Sequence, residues 1–149
     1  MSIKEKLYNK CIEFIDNRLL IIQNTILEIQ ESLLSETKSS AGDKHETGRA
    51  MLQLEREKTG NQLAEINKMR AVLNRVQVDK SATVVALGSL VYTNQLNYFI
   101  AVSAGKLEVN GQSFYAISSI SPIGKLLLGK SINDMVVFNG KNILIQKIE

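Results

Sequence analysis

Between Ile15 and Leu33 the apolar side chains fall at Ile15, Leu19, Ile22, Ile26, Ile29 and Leu33, in alternating steps of four and three. On a helix such steps keep one narrow stripe on a single face, and a stripe that narrow is buried well only against another helix. The rhythm runs back more weakly through Cys11 and Leu7. It predicts a first helix from near Ile3 to about Thr37, with Cys11 a small buried apolar residue.

A second periodic stretch, from about Lys44 to Val76, puts Leu52, Thr59, Leu63, Ile66 and Leu73 on one face, with Arg56 and Arg70 interrupting it. Ser39-Ser40-Ala41-Gly42 between the two is a small turn-forming cluster, and so short a connection makes neighbouring helices antiparallel. The expected object is an antiparallel coiled-coil hairpin over residues 1–78 with its tip near 38–47. Arms of roughly thirty residues at about 1.5 Å rise per residue give a rod about 45 Å long. A parallel homodimeric coil could use the same stripe, but the break at Gly42 and the similar arm lengths favour folding back. A long two-helix hairpin buries little of its own surface, so its use is reach, exercised at the tip.

Near Asp79 the residue alphabet changes from Leu, Ile, Gln, Glu and Lys to Val, Tyr, Phe, Ser and Gly, that is, from helix formers to residues that suit pleated strands. Residues 79–149 therefore form a second domain. Its strand-like runs are Thr83–Ala86, Ser89–Thr93, Tyr98–Val102, Phe114–Ile117, Met135–Phe138 and Ile143–Ile148. Asn110-Gly111 and Asn139-Gly140 suit the positive φ angles of tight hairpin turns. One helix is embedded after Ser121, a natural N-cap, with Pro122 at its first position and Gly129 at its C-terminal cap. The fold class is α+β, with the hairpin followed by a small antiparallel sheet carrying one short helix.

Composition narrows the function. At 44% hydrophobic and 22% charged the chain reads as a folded, soluble protein. No apolar run nears the roughly 18 residues that span a bilayer and no leader pattern opens the chain, so no membrane and a cytoplasmic location are expected. The single cysteine fits a reducing compartment. A net charge of +3, with bases scattered among acids, gives no footprint for duplex nucleic acid. One histidine and one cysteine at opposite ends of the first arm make no nucleophilic pair, and no metal-ligand spacing is present. Gly124 to Lys130 is no phosphate loop, because its Gly-Lys closes a helix where the dipole repels anions.

Ser121-Pro122-Ile123, followed by a short helix ending Leu127-Leu128-Gly129-Lys130 and an acidic turn at Asp134, resembles the C-terminal signature of the Gre transcript-cleavage factors. Gly88-Ser89-Leu90-Val91 resembles the start of the same domain, and Gly42-Asp43-Lys44-His45-Glu46 matches the family's Gly-Asp-x-x-Glu tip. The resemblance spans nearly the whole chain in organisation and is motif-specific at these three places. It implies an FKBP-like C-terminal domain behind the coiled coil. It further implies a monomer that binds bacterial RNA polymerase, inserts its tip into the secondary channel and stimulates cleavage of backtracked RNA, without being an enzyme itself. Asp43 would share a Mg²⁺ supplied by the polymerase and Glu46 would position or deprotonate the attacking water, the two acting in trans next to the RNA 3′ end. A hard cation that keeps several waters suits such added carboxylates. Ser121, Pro122, Ile123, Gly129 and Lys130 would hold the partner, and Lys38, Lys44 and Arg49 would contact RNA phosphates.

The chain departs from the family where Thr47-Gly48-Arg49-Ala50 stands in place of Asn-Ala-Glu-Tyr, and where Asn133 replaces a glycine. Asp43-x-x-Glu46 is also a capping box at a helix start, a structural role compatible with the catalytic one. A channel-binding regulator without cleavage is the alternative reading. Prolyl isomerisation by an FKBP-like fold is a third, weakened by the scarcity of aromatics to line a proline pocket.

Overall fold

The computed structural model describes the backbone of residues 1–38 and 43–149 and the side chains of residues 1–36 and 47–149. Helix α1 (Ile3–Lys38, 36 residues) and helix α2 (Asp43–Leu73, 31 residues) make a long helical hairpin. Leu7, Cys11, Ile15, Ile22 and Ile29 of α1 are buried, as are Thr59, Ile66 and Leu73 of α2. From Ile15 onward, and throughout α2, these buried positions recur every seven residues, the repeat of a coiled-coil seam. Leu19, Ile26 and Leu33 lie half-buried beside them, with Leu52 and Leu63 on α2. Below Ile15 the steps become four and four, an inserted half-step of the kind that locally unwinds a supercoil. Thr59, a polar residue in the seam, donates its hydroxyl to the Glu55 carbonyl at 2.8 Å, so its own buried donor is paired.

By its internal contacts the chain divides into two units, Ile15–Met69 and a discontinuous one of Met1–Phe14 with Arg70–Glu149. The second contains the sheet. Its strands are β1 (Leu90–Thr93), β2 (Tyr98–Ala101), β3 (Gly105–Val109), β4 (Gln112–Ser118), β5 (Met135–Phe138) and β6 (Lys141–Ile148), with α3 (Pro122–Leu127) between β4 and β5. Across the sheet the order is β3-β4-β2-β1-β6-β5.

The sheet is mixed rather than wholly antiparallel, since β2 pairs β4 in parallel, Tyr98 opposite Tyr115 and Ile100 opposite Ile117. The cause is β3, an edge strand that sequence reading leaves out. The chain reverses once after β2 and again at Asn110-Gly111, and two reversals return β4 to the direction of β2. Asn110 and Gly111, with φ of 53° and 77°, and Asn139 and Gly140, with 51° and 75°, adopt the expected left-handed turn conformation. The expected strand at Thr83–Ala86 is reduced to one bridge, Val84 to Ser131.

Both faces of the sheet are covered. On one, Val91, Tyr98, Ile100, Val136, Ile143 and Ile145 pack with Val85 and with Ile123 and Leu127 of α3. On the other, Leu90, Phe99 and Phe114 are wholly buried, and Phe114 meets the Tyr92 ring edge-on at 5.9 Å between centroids. Among the described residues no helix is long and apolar enough to cross a membrane.

Candidate functional site

Asp43 opens α2 and Glu46 falls in its first turn, so both tip acids stand at the closed end of the hairpin. Lys38 is the last residue of α1 and Lys44 the second of α2. The side chains of Asp43, Glu46, Lys38, Lys44 and His45 lie outside the described residues, as does the expected capping hydrogen bond between Asp43 and Glu46. Arg49, one turn further along α2, is half-buried.

The closed end also holds a carboxylate to which the sequence alone assigns no role. Glu36 of α1 lies half-buried against Gly48 of α2, where an added Cβ would stand 3.3 Å from its Cδ, Oε1 and Oε2. The missing side chain of Gly48 leaves the space beside which the Glu36 carboxylate lies. The signal was present in the spacing, because Glu36 continues the Ile15, Ile22, Ile29 row by one more step of seven.

In the sheet unit the Ser121 segment is built as its residue types demand. Ser121, with extended backbone, accepts from the Gly124 N–H at 3.1 Å and donates its own hydroxyl to the Ser118 carbonyl at 2.6 Å, so one oxygen both caps α3 and clamps the preceding turn. Pro122 takes the first helical position, where a missing N–H costs nothing. Gly124 is closely enclosed, because a Cβ there would lie 2.1 Å from the Ser118 carbonyl oxygen and the backbone would have to shift to admit it. Leu128 is the C-cap and Gly129 follows at φ 78°, a left-handed helix end. Asp134 accepts the Ser131 N–H at 2.7 Å, and Asn133 before it holds φ 74°, the conformation a glycine would supply.

Of the five residues expected to hold a partner, Pro122, Gly129 and Lys130 are exposed and Ser121 is half-buried. Ile123 is buried in the core and can act on a partner only through the placement of α3. One perturbed titratable group of this unit lies at the start of α1. Lys4 is buried, its Nζ donates to the Lys80 carbonyl at 2.7 Å, and desolvation lowers its pKa against the opposing pull of Glu149 and Asp79. This lysine fixes the start of α1 to the segment before β1 and takes no place at the tip.

A cleft of about 490 Å³ on the flank of the hairpin is lined by Arg18, Ile21, Ile22, Gln62, Glu65, Ile66 and Met69 and includes no tip residue. Among the described residues no group of three His, Cys, Asp or Glu side chains could hold a metal ion. No family model matches the chain. No curated protein matches it significantly.

Proposed function

We propose that this chain is a Gre-like transcription elongation factor that binds bacterial RNA polymerase, enters its secondary channel tip first and stimulates cleavage of backtracked RNA. The observation that carries the reading is the place of Asp43 and Glu46 in the first turn of α2, at the closed end of a long helical hairpin. The Ser121-Pro122-Ile123 helix lead in the strand-rich unit adds to it.

In this reading the protein has no active site of its own. A Mg²⁺ held by the polymerase would supply Lewis-acid chemistry to the scissile phosphate and to the attacking water. Asp43 offers a carboxylate oxygen of the hard type that such an ion prefers. Glu46 orients the water and takes its proton. Lys38 and Lys44 neutralise RNA phosphates beside the tip, with Arg49 one turn behind. Pro122, Gly129 and Lys130 make the exposed part of the surface that grips the polymerase rim.

Cleavage of RNA in stalled, backtracked polymerase tests the reading. Wild type should speed the loss of full-length transcript, and Asp43→Asn/Glu46→Gln should lower the rate by at least about 10² while still competing with wild type for the polymerase. Equal rates with the two proteins would remove the catalytic assignment. A second reading, a channel-binding regulator that does not promote cleavage, is favoured by Thr47-Gly48-Arg49-Ala50, which leaves the tip without the family's second acid and aromatic. It predicts polymerase binding with no change in cleavage, and a cleavage rate that rises with wild type and depends on both acids would exclude it.

A further inference from the structure

Residues that follow α2 and residues that lead into β1 wall a cavity of about 210 Å³. Its charged lining is Lys4, Arg75 and Lys80, with no Asp or Glu. Arg75 and Lys80 are exposed, and among the described residues neither side chain has an ion-pair or hydrogen-bond partner. Lys4 is buried and uses one Nζ proton on the Lys80 carbonyl at 2.7 Å. The carboxylates that oppose its desolvation, Glu149 and Asp79, line the adjoining hollow instead. Unpaired surface cations are ordinary. The buried hydroxyl beside them is not. Ser89 is 3% exposed, its Oγ accepts the Ala86 N–H at 2.9 Å, and among the described residues its own proton has no acceptor. Buried hydroxyls are nearly always paired, so a donor left over on a cavity wall marks where an acceptor belongs. The backbone N–H groups of Gln77 and Leu87, two more residues of the wall, also have no protein acceptor among the described residues. Between these, Gly88 holds φ 88°, and an added Cβ would meet Val76 Cγ1 at 3.3 Å and the Gln77 nitrogen at 3.8 Å.

We propose that this cavity binds the phosphate end of a small phosphorylated compound, with Arg75, Lys80 and the Ser89 hydroxyl as its donors. The wall offers cations and N–H and O–H groups, and phosphate oxygens only accept. A guanidinium fork matches two phosphate oxygens at once, while an ammonium serves as a point charge beside them. A carboxylate, with one charge and two oxygens, leaves part of this donor set unanswered. Pockets that enclose a whole small molecule run from about 300 to 1,000 Å³. This smaller cavity therefore admits the phosphate groups and leaves the rest of the compound outside. All of its residues belong to the sheet unit. The inference is independent of RNA cleavage and stands or falls separately from it.

The test titrates the whole chain, labelled with nitrogen-15, with inorganic pyrophosphate, ADP and the dicarboxylate malonate, in the absence of divalent metal. Pyrophosphate and ADP should bind with Kd below about 1 mM and move the amide signals of Gln77, Leu87 and Ser89. Arg75→Gln/Lys80→Gln changes two exposed side chains and should weaken both ligands by about ten-fold or more. Ser89→Ala should weaken them as well. Arg56→Gln/Lys58→Gln removes the same charge from exposed positions of α2 and should leave binding unchanged. Circular dichroism should show the same fold in both double variants. Tighter binding of ADP would point to an organic phosphate as the source, and tighter binding of pyrophosphate to an inorganic one; either supports the site. No binding at roughly 10 mM, equal weakening by the two double variants, malonate bound as tightly as pyrophosphate, or signals that move only elsewhere in the chain would overturn the proposal.

Discussion

Cys11 is wholly buried in α1, and desolvation pushes its thiol up from 9.0 to about 12. The unfolded chain releases that proton near pH 9 while the folded chain retains it, so the stability tied to the neutral thiol is complete below pH 9 and declines as pH rises toward 12. A shift of this size corresponds to about 4 kcal/mol. Cys11→Ala should therefore flatten the fall of urea midpoint between pH 9 and pH 12, and native protein at pH 8 should resist thiol alkylation except at its rate of opening. Gly124 illustrates the opposite constraint, of space rather than charge. Gly124→Ala must displace the Ser118 carbonyl or the start of α3, and should lower stability by about 2–3 kcal/mol in urea unfolding. An unchanged midpoint would mean that the turn from Ser118 to Ser121 yields easily.

The two helices of the hairpin, Ile3–Lys38 and Asp43–Leu73, begin and end within three residues of their sequence expectation because a heptad rhythm and a small-residue break are strong local signals. Asn-Gly pairs and Ser121-Pro122 were equally legible, since each names one backbone conformation. Strand β3 was missed. Gly105-Lys106-Leu107-Glu108-Val109 is a short edge strand whose charged and apolar residues alternate before the Asn110-Gly111 turn, a period-two signal that was present but brief and low in β-branched and aromatic residues. The parallel pairing of β2 with β4 follows from β3 and so could not be read without it. Glu36 received no place in the seam because a charged residue does not announce itself as the next step of an apolar row. Within α2 the weakest seam position is Thr59, whose hydroxyl is already satisfied inside its own helix. Thr59→Leu should add buried apolar surface there and raise hairpin stability by about 1 kcal/mol, seen as a higher thermal midpoint in the helical signal.

The unit of residues 15–69 buries few side chains, Ile15, Ile22, Ile29, Thr59 and Ile66 among the described ones, whereas the sheet unit buries both faces of its strands. Local opening is cheapest where little apolar surface is covered. Amide exchange should accordingly be faster across residues 15–69 than in β1, β2 and β4, and equal protection would show that the two open together. The sheet unit is also discontinuous, with Met1–Phe14 and Arg70–Glu149 in one body, and its last strand, β6, lies between β1 and β5. During synthesis, at roughly 5–20 residues per second, Leu7 and Cys11 leave the ribosome many seconds before the strands of their unit exist. Those early apolar side chains remain uncovered on the nascent protein for that interval, which gives a ribosome-bound chaperone its opportunity.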